Sequence, residues 1–184
     1  LLGWLAARGH RVLLVDWGDP TAADRDQDIA GHIEALLLPL LATLGQPCML
    51  VGYCLGGRLA YMTAARTDVN ASVGYYAVGI DGLLGEQHAI AHPLLLHIAK
   101  DDHFVDADAQ RRMHEGLDDN PKVTLIDYPG VDHGFAVGPD ALTDGGEKRV
   151  DLIALGLPAG RGGVQASHAQ PHLCGRIGHG AHDA

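Results

Sequence analysis

Residues 51–58 read Val-Gly-Tyr-Cys-Leu-Gly-Gly-Arg, and they constrain the fold more than any other stretch of the chain. The run Cys48-Met49-Leu50-Val51 leads straight into them, and a helix-forming segment, residues 58–66, follows. Strand, tight turn and helix are thus compressed into about 20 residues, with a Gly-x-Cys-x-Gly at the turn, the cysteine form of a nucleophile elbow. The nucleophile of such a turn sits on strained backbone. Side chains two residues to either side are expected to clash there, and Gly52 and Gly56 remove them. The helix start after Cys54 offers free N–H groups and a positive dipole end, which favour a thiolate and a developing oxyanion.

The segments around the elbow alternate. Residues 1–8 read as a helix with Gly9 as its C-cap. Residues 11–16, Arg-Val-Leu-Leu-Val-Asp, form a near-continuous apolar run of the kind found in buried parallel strands. A loop over 17–27 precedes a long apolar helix over 28–44, with Asp26 or Asp28 near its start. Pro39 is expected to kink or split that helix. Strands are expected over 48–53, 71–78, 93–99 and 122–128. Helices are expected over 55–66 and 106–117, with a weak one over 145–155. Loops fill 79–92, with room for one helical turn, and 129–138. Strands alternating with helices imply an α/β fold, a mostly parallel sheet flanked by helices. Ligands of such sheets sit beyond the C-terminal ends of the strands.

Four candidate residues fall at such ends. Cys54 follows the first strand of the series, Asp101 and Asp102 follow strand 93–99, and His133 follows strand 122–128. The order Cys, Asp, His is that of the α/β-hydrolase triad. In it the nucleophile attacks a carbonyl, the imidazole manages the proton, and the carboxylate fixes the imidazole's orientation and tautomer. Asp102 is favoured over Asp101, which remains the alternative. His97 lies inside an apolar strand and reads as a packed core histidine. Tyr53, His103, Phe104 and Phe135 are the candidates for a substrate pocket, with Tyr75 and Tyr76 beside them.

Composition narrows the function classes. A chain of 184 residues with net charge −10 and three lysines is a poor partner for nucleic acid or an anionic membrane surface. The longest apolar stretch, residues 35–44, is too short to span a bilayer. Cysteines 48, 54 and 174 show no framework spacing, so a reducing, cytoplasmic setting with at least one free thiol is expected. Residues 1–155 read as one domain and 156–184 as a low-complexity, disordered tail. That tail carries His168, His172, His179 and His182, and a metal site there is the less favoured reading.

These residues together resemble the dienelactone hydrolase family. Gly52-Tyr53-Cys54-Leu55-Gly56-Gly57 is similar to its nucleophile motif. Ser72-Val73-Gly74-Tyr75-Tyr76 with Gly79, Asp102-His103-Phe104-Val105, and Tyr128-Pro129-Gly130 with His133-Gly134-Phe135 are similar to its later segments in the same order. The resemblance covers residues 50–140. It implies an α/β-hydrolase fold and a carboxylic-ester or lactone hydrolase working through a thioester. Cys54 would be its nucleophile, His133 its base, Asp102 the orienter, and the Leu55 backbone N–H an oxyanion donor. It implies a small-molecule ester or lactone as partner, a monomer or weak homo-oligomer, and no cofactor and no metal. The family's type reaction opens a dienelactone to maleylacetate.

The first 50 residues look more like polyhydroxyalkanoate synthase-type α/β hydrolases, through residues 4–12 and 15–20. An acyltransferase of that type is therefore an alternative, as is an inactive truncated hydrolase module. The 48 residues from Cys54 to Asp102 leave no room for the cap insertion expected of a polyester synthase. Against the family pattern, the opening strands and their second oxyanion donor are missing, which would cost roughly 10²–10³ in rate. Val137 stands where some members place an Arg that holds the substrate carboxylate.

Overall fold

The computed structural model describes residues 2–17, 22 and 25–136. Among the described residues, those up to Gln27 and those from Asp28 onward belong to two separate compact units.

In the first unit, helix α1 spans Leu2–Ala6. Gly9, at φ +83°, stops it: the Gly9 N–H donates to Ala6 O at 3.0 Å and the His10 N–H to Leu5 O at 3.2 Å. The cap is the expected one, because a left-handed residue closes a helix with least strain when it is glycine. Residues 11–16 do not form the expected strand. They are irregular, with Leu13 48% and Leu14 74% exposed. An apolar run becomes a parallel strand only when neighbouring strands take its N–H and C=O groups, and residues 11–16 join no ladder.

The second unit opens with a continuous helical segment: α2 (Ile29–His32), a π-helical turn (Ile33–Leu37) and α3 (Leu38–Leu44). Asp28 caps it, its Oδ1 accepting the Gly31 N–H at 2.7 Å. The expected break at Pro39 takes the form of the wide turn just before it, where the Leu38 N–H reaches back five residues to Ile33 O. Proline cannot donate, and a π turn lets the helix pass such a residue without ending. Gly45, at φ +58°, is the C-cap.

Four strands follow, β1 (Met49–Tyr53), β2 (Ala71–Tyr75), β3 (Leu94–Ala99) and β4 (Val123–Tyr128), all parallel and in the order β1-β2-β3-β4. Between them lie α4 (Leu55–Arg66), a 3₁₀ run (Asp81–Ala89) and α5 (Ala107–Leu117). The 3₁₀ run occupies what the sequence suggests is a loop with a single turn. Asp106 caps α5 through the Ala109 N–H at 2.7 Å. The predicted helix over 145–155, the tail and its histidines, and Val137 lie outside the described residues.

Strand β3 shows why its sequence is apolar on consecutive positions. Leu94 and Leu96 pack with Tyr61, Ala64, Ile80, Met113 and Leu117 on one face. Leu95 packs with Val73, Tyr75 and Tyr76 on the other. All three leucines are at most 1% exposed. Each such side chain stabilises the fold by about 1.5–3 kcal/mol relative to solvent, so an inner strand with two buried faces has no place for alternating polar residues. The sheet and α4 meet at small residues: a Cβ on Gly57 would lie 2.7 Å from Ala77 Cβ, and one on Gly74 would lie 3.1 Å from Gly57 O. That close approach sets the elbow helix directly against β2.

Candidate active site

The predicted site residues lie at the C-terminal ends of β1, β3 and β4: Tyr53 ends β1, Cys54 and Leu55 follow it, and Asp102, His103, Phe104, His133 and Phe135 lie in the loops after β3 and β4. Cys54 occupies the turn between β1 and α4, at φ +56° and ψ −117°. A non-glycine residue there is strained, and the surroundings hold it: the Cys54 N–H donates to Tyr75 O at 3.0 Å, and Cys54 O accepts from Gly57 and Arg58 at 3.0 and 3.3 Å. The two flanking glycines differ. A Cβ on Gly52 would overlap the Gly56 carbonyl, whereas a Cβ on Gly56 would meet nothing within 4 Å. The clash expected on both sides of the elbow exists only on the strand side. Leu55 and Gly56 begin α4, where N–H groups have no carbonyl one turn earlier to bind.

Asp102 and His133 meet. Asp102, with its side chain 1% exposed, lies in the loop after β3, and its Oδ2 is 2.9 Å from His133 Nδ1, with Oδ1 at 3.1 Å. Asp102 Oδ1 also accepts the Phe104 N–H at 2.8 Å and the Val105 N–H at 3.3 Å, so its direction is fixed from its own loop. Gln110 supports that loop from α5. It is 1% exposed and donates through Nε2 to Val105 O at 2.9 Å and Ala99 O at 3.1 Å. Asp101, the alternative, uses its backbone N–H on Val131 O at 3.0 Å and leaves its side chain exposed. With Nδ1 given to Asp102, the other ring nitrogen of His133, Nε2, is buried and has no hydrogen-bond partner among the described residues.

Aromatic side chains wall the imidazole. Tyr76 is 4% exposed, and its ring stands edge-on to His133 at 4.7 Å. The Phe104 ring is also 4.7 Å from His133, and Phe135 lies 5.6 Å from Tyr76. Burial, with Tyr53 and Cys54 as further contributors, pushes the Tyr76 phenol up to about 12. Tyr76 therefore borders both Cys54 and His133 as a neutral group. It too has a positive φ, +38°, with its N–H bonded to His97 O at 2.8 Å. Of the predicted pocket residues, Tyr53 stacks on Tyr75 at 5.0 Å, while Phe104 is 65% exposed. His97 is a core residue as read from its strand: it is 1% exposed, stacks on Tyr75 at 4.2 Å and is bonded through Nδ1 to the Tyr128 hydroxyl at 2.9 Å.

One participant was not read from the sequence. Asp132 binds His103 Nδ1 at 2.7 Å through Oδ1 and at 2.9 Å through Oδ2. Its Oδ1 also accepts the backbone N–H groups of His103 and His133, at 3.0 and 2.6 Å. Chiefly the His103 bond, helped by the two backbone donors, holds the Asp132 carboxyl down to about 2. The only textual signal is the dipeptide Asp-His, which occurs at 102–103 and again at 132–133. Donor atoms of Asp102, His103 and Asp132 lie within 4.8 Å of one another, as a shared ion would need. All three side chains already have protein partners, so the cluster reads as a hydrogen-bond network.

The sequence pattern of the dienelactone hydrolase family matches residues 18–149 of this chain. The chain belongs to the dienelactone hydrolase family. The match extends further toward the N-terminus than the expected 50–140. A protein of Azospirillum brasilense is 55% identical over 82 residues, 45% of this chain and 36% of that protein. The carboxymethylenebutenolidase of Pseudomonas putida is 38% identical over 111 residues, 57% of this chain and 47% of that protein. Carboxymethylenebutenolidase 1 of Cupriavidus pinatubonensis is 41% identical over 86 residues, 47% and 36% of the two chains. The chain thus spans less than half the length of each of these relatives. Two solved structures share the fold. E-2-(acetamidomethylene)succinate hydrolase superposes with a TM-score of 0.52 at 13% identity, covering 65% of this chain and 72% of that one. A dienelactone hydrolase-like promiscuous phosphotriesterase from metagenomic libraries superposes with a TM-score of 0.51 at 18% identity, covering 62% and 52%. The α/β fold expected from the alternating segments, and the α/β-hydrolase fold implied by the resemblance, are therefore the fold of this family member. Among the described residues, no helix is long and apolar enough to cross a membrane.

Proposed function

We propose that this chain hydrolyses carboxylic esters or lactones through a thioester on Cys54. The observation that carries the reading is the Asp102–His133 pair at 2.9 Å, beyond the same sheet edge as a cysteine at φ +56° on an elbow. The Cys54 thiol passes its proton to His133 Nε2 and attacks the carbonyl carbon as a thiolate, and the carbonyl electrons move onto oxygen. The Leu55 N–H at the start of α4 receives that oxyanion. The tetrahedral intermediate collapses with loss of the alcohol, which takes its proton from His133. Water, deprotonated by His133, then cleaves the thioester and releases the acid and the thiolate. Asp102 keeps Nδ1–H of His133 pointing toward itself, so that Nε2 is the nitrogen that exchanges protons.

Tyr53, Phe104 and Phe135, with His103 at the rim, would line the acyl side of the pocket. Such walls suit a small, uncharged ester. The names of the relatives support a dienelactone as the first substrate to try. No cofactor enters this chemistry. The same thioester passed to an alcohol instead of water would make the protein an acyltransferase, and its Gly-Tyr-Cys-x-Gly-Gly elbow is compatible with that.

The test compares the chain with Cys54→Ala on a small aryl ester and on a dienelactone. Turnover that vanishes in the variant is expected. Turnover that survives it would refute the nucleophile assignment, and formation of the ester of an added alcohol, rather than the free acid, from a hydroxyacyl-CoA would identify the transferase.

A further inference from the structure

The Asp-His dipeptides pair crosswise. Asp102 of the loop after β3 holds His133 of the loop after β4, and Asp132 of the second loop holds His103 of the first. Up to Tyr128 the two segments are in register through the β3–β4 ladder, which ends at Ala99 beside Tyr128. Two further backbone bonds carry the pairing on, from the Lys100 N–H to Tyr128 O and from the Asp101 N–H to Val131 O, both at 3.0 Å. At residue 103 the backbone pairing stops. The Asp132 carboxylate takes over, accepting an N–H from each loop, His103 at 3.0 Å and His133 at 2.6 Å, and the His103 ring besides.

We propose that Asp132 and His103 form a positioning latch that sets the register of the His133 loop against the Asp102 loop. The inference rests on the hydrolase reading for its kinetic consequence only. A proton-transferring imidazole has to be held within about 0.5 Å of its productive place by its surroundings. Asp102 fixes one ring nitrogen of His133, and the latch fixes the backbone from which that ring projects. Asp132 and His103 are 56% and 60% exposed on their side chains, so an ion pair there contributes little to global stability. The effect of the latch falls on the site instead. Neither residue touches the reacting atoms.

The test uses the full chain with ¹⁵N-labelled histidine, comparing it with Asp132→Ala, Asp132→Asn and Cys54→Ala. In the parent the His133 Nδ1–H, bonded to Asp102, should give a downfield proton resonance protected from exchange. In Asp132→Ala this resonance is expected to broaden or vanish, and kcat on an aryl ester to fall about 10–100-fold with KM within about twofold. The thermal midpoint should move by less than about 4 °C. Asp132→Asn keeps an acceptor for both backbone donors, and it should restore the resonance and most of kcat. An unchanged His133 resonance in folded Asp132→Ala overturns the latch, whatever kcat does. If Asp132→Ala does not fold, His103→Asn is read in the same way: a weakened resonance supports the latch, and an unchanged one overturns it. Retained turnover in Cys54→Ala would sink the hydrolase reading while leaving the resonance to judge the latch.

Discussion

Gly52 lies against the carbonyl of Gly56, so closely that a Cβ on Gly52 would occupy the space of that oxygen. Gly56 meets nothing with its own missing Cβ. The elbow thus asks for glycine on one side only. Gly52→Ala has to push the start of α4 away from β1, and it should abolish Cys54 reactivity and cost about 1–3 kcal/mol as an overpacking change. Gly56→Ala, in the first turn of a helix, should be neutral or stabilise by up to about 1 kcal/mol. Urea unfolding and alkylation of Cys54 by iodoacetamide would measure both. Equal effects from the two substitutions would refute the asymmetry.

Asp102 and Asp101 are neighbours with opposite fates. The Asp102 carboxylate reaches His133 and two backbone N–H groups of its own loop. Asp102→Asn keeps an acceptor for the loop but presents the wrong partner to Nδ1–H. It should lower kcat by about 10²–10⁴. Asp101→Asn leaves the Asp101 N–H on Val131 O and should leave kcat within about twofold of the parent. Steady-state hydrolysis of an aryl ester decides between them, and a larger loss in Asp101→Asn would reverse the assignment.

Burial pushes the His97 imidazole down to about 4 from its usual 6.5. Between those values the unfolded chain binds a proton that the folded chain refuses. Stability therefore rises with pH across that window and is lost as pH falls from about 6.5 toward about 4. The loss attributable to His97 is up to about 3 kcal/mol. His97→Gln removes the titration, so urea midpoints between pH 4 and 7 should fall less steeply in the variant than in the parent. Parallel curves would mean that His97 takes up its proton alike in the folded and unfolded chains.

Tyr61 is fully buried, and its hydroxyl donates to Leu83 O at 3.1 Å, which ties α4 to the 3₁₀ run. Tyr61→Phe keeps the packing and removes the hydroxyl bond to Leu83 O. It should cost about 1 kcal/mol with an unchanged denaturant slope. No measurable loss would mean that this bond between α4 and the 3₁₀ run adds nothing net to stability.

Much of this was legible in the residues. The four strand runs have two-faced burial or strong apolar character, which a one-dimensional pattern reports directly, and the observed strands fall within the expected segments. Helix α4 starts at Leu55 and ends at Arg66, as read. The pairing of Asp102 with His133 was legible because each follows a strand, and parallel strands bring such ends together. Residues 11–16 failed for the same reason that the others succeeded. Their apolar pattern is as good, but a strand is made by its neighbours and not by its own composition.

Sequence alone determined the chain order of strand, elbow and helix, the glycine beneath Cys54, and the residue types that can form a nucleophile, an imidazole and a carboxylate. These are local or periodic properties, set by sterics and by which faces must leave water. Tertiary structure decided which carboxylate faces His133, which elbow glycine is sterically required, and that Asp132 binds across to His103. Those depend on distances between segments about 30 residues apart, fixed only once β3 and β4 lie side by side and their loops must share hydrogen bonds where the ladder ends.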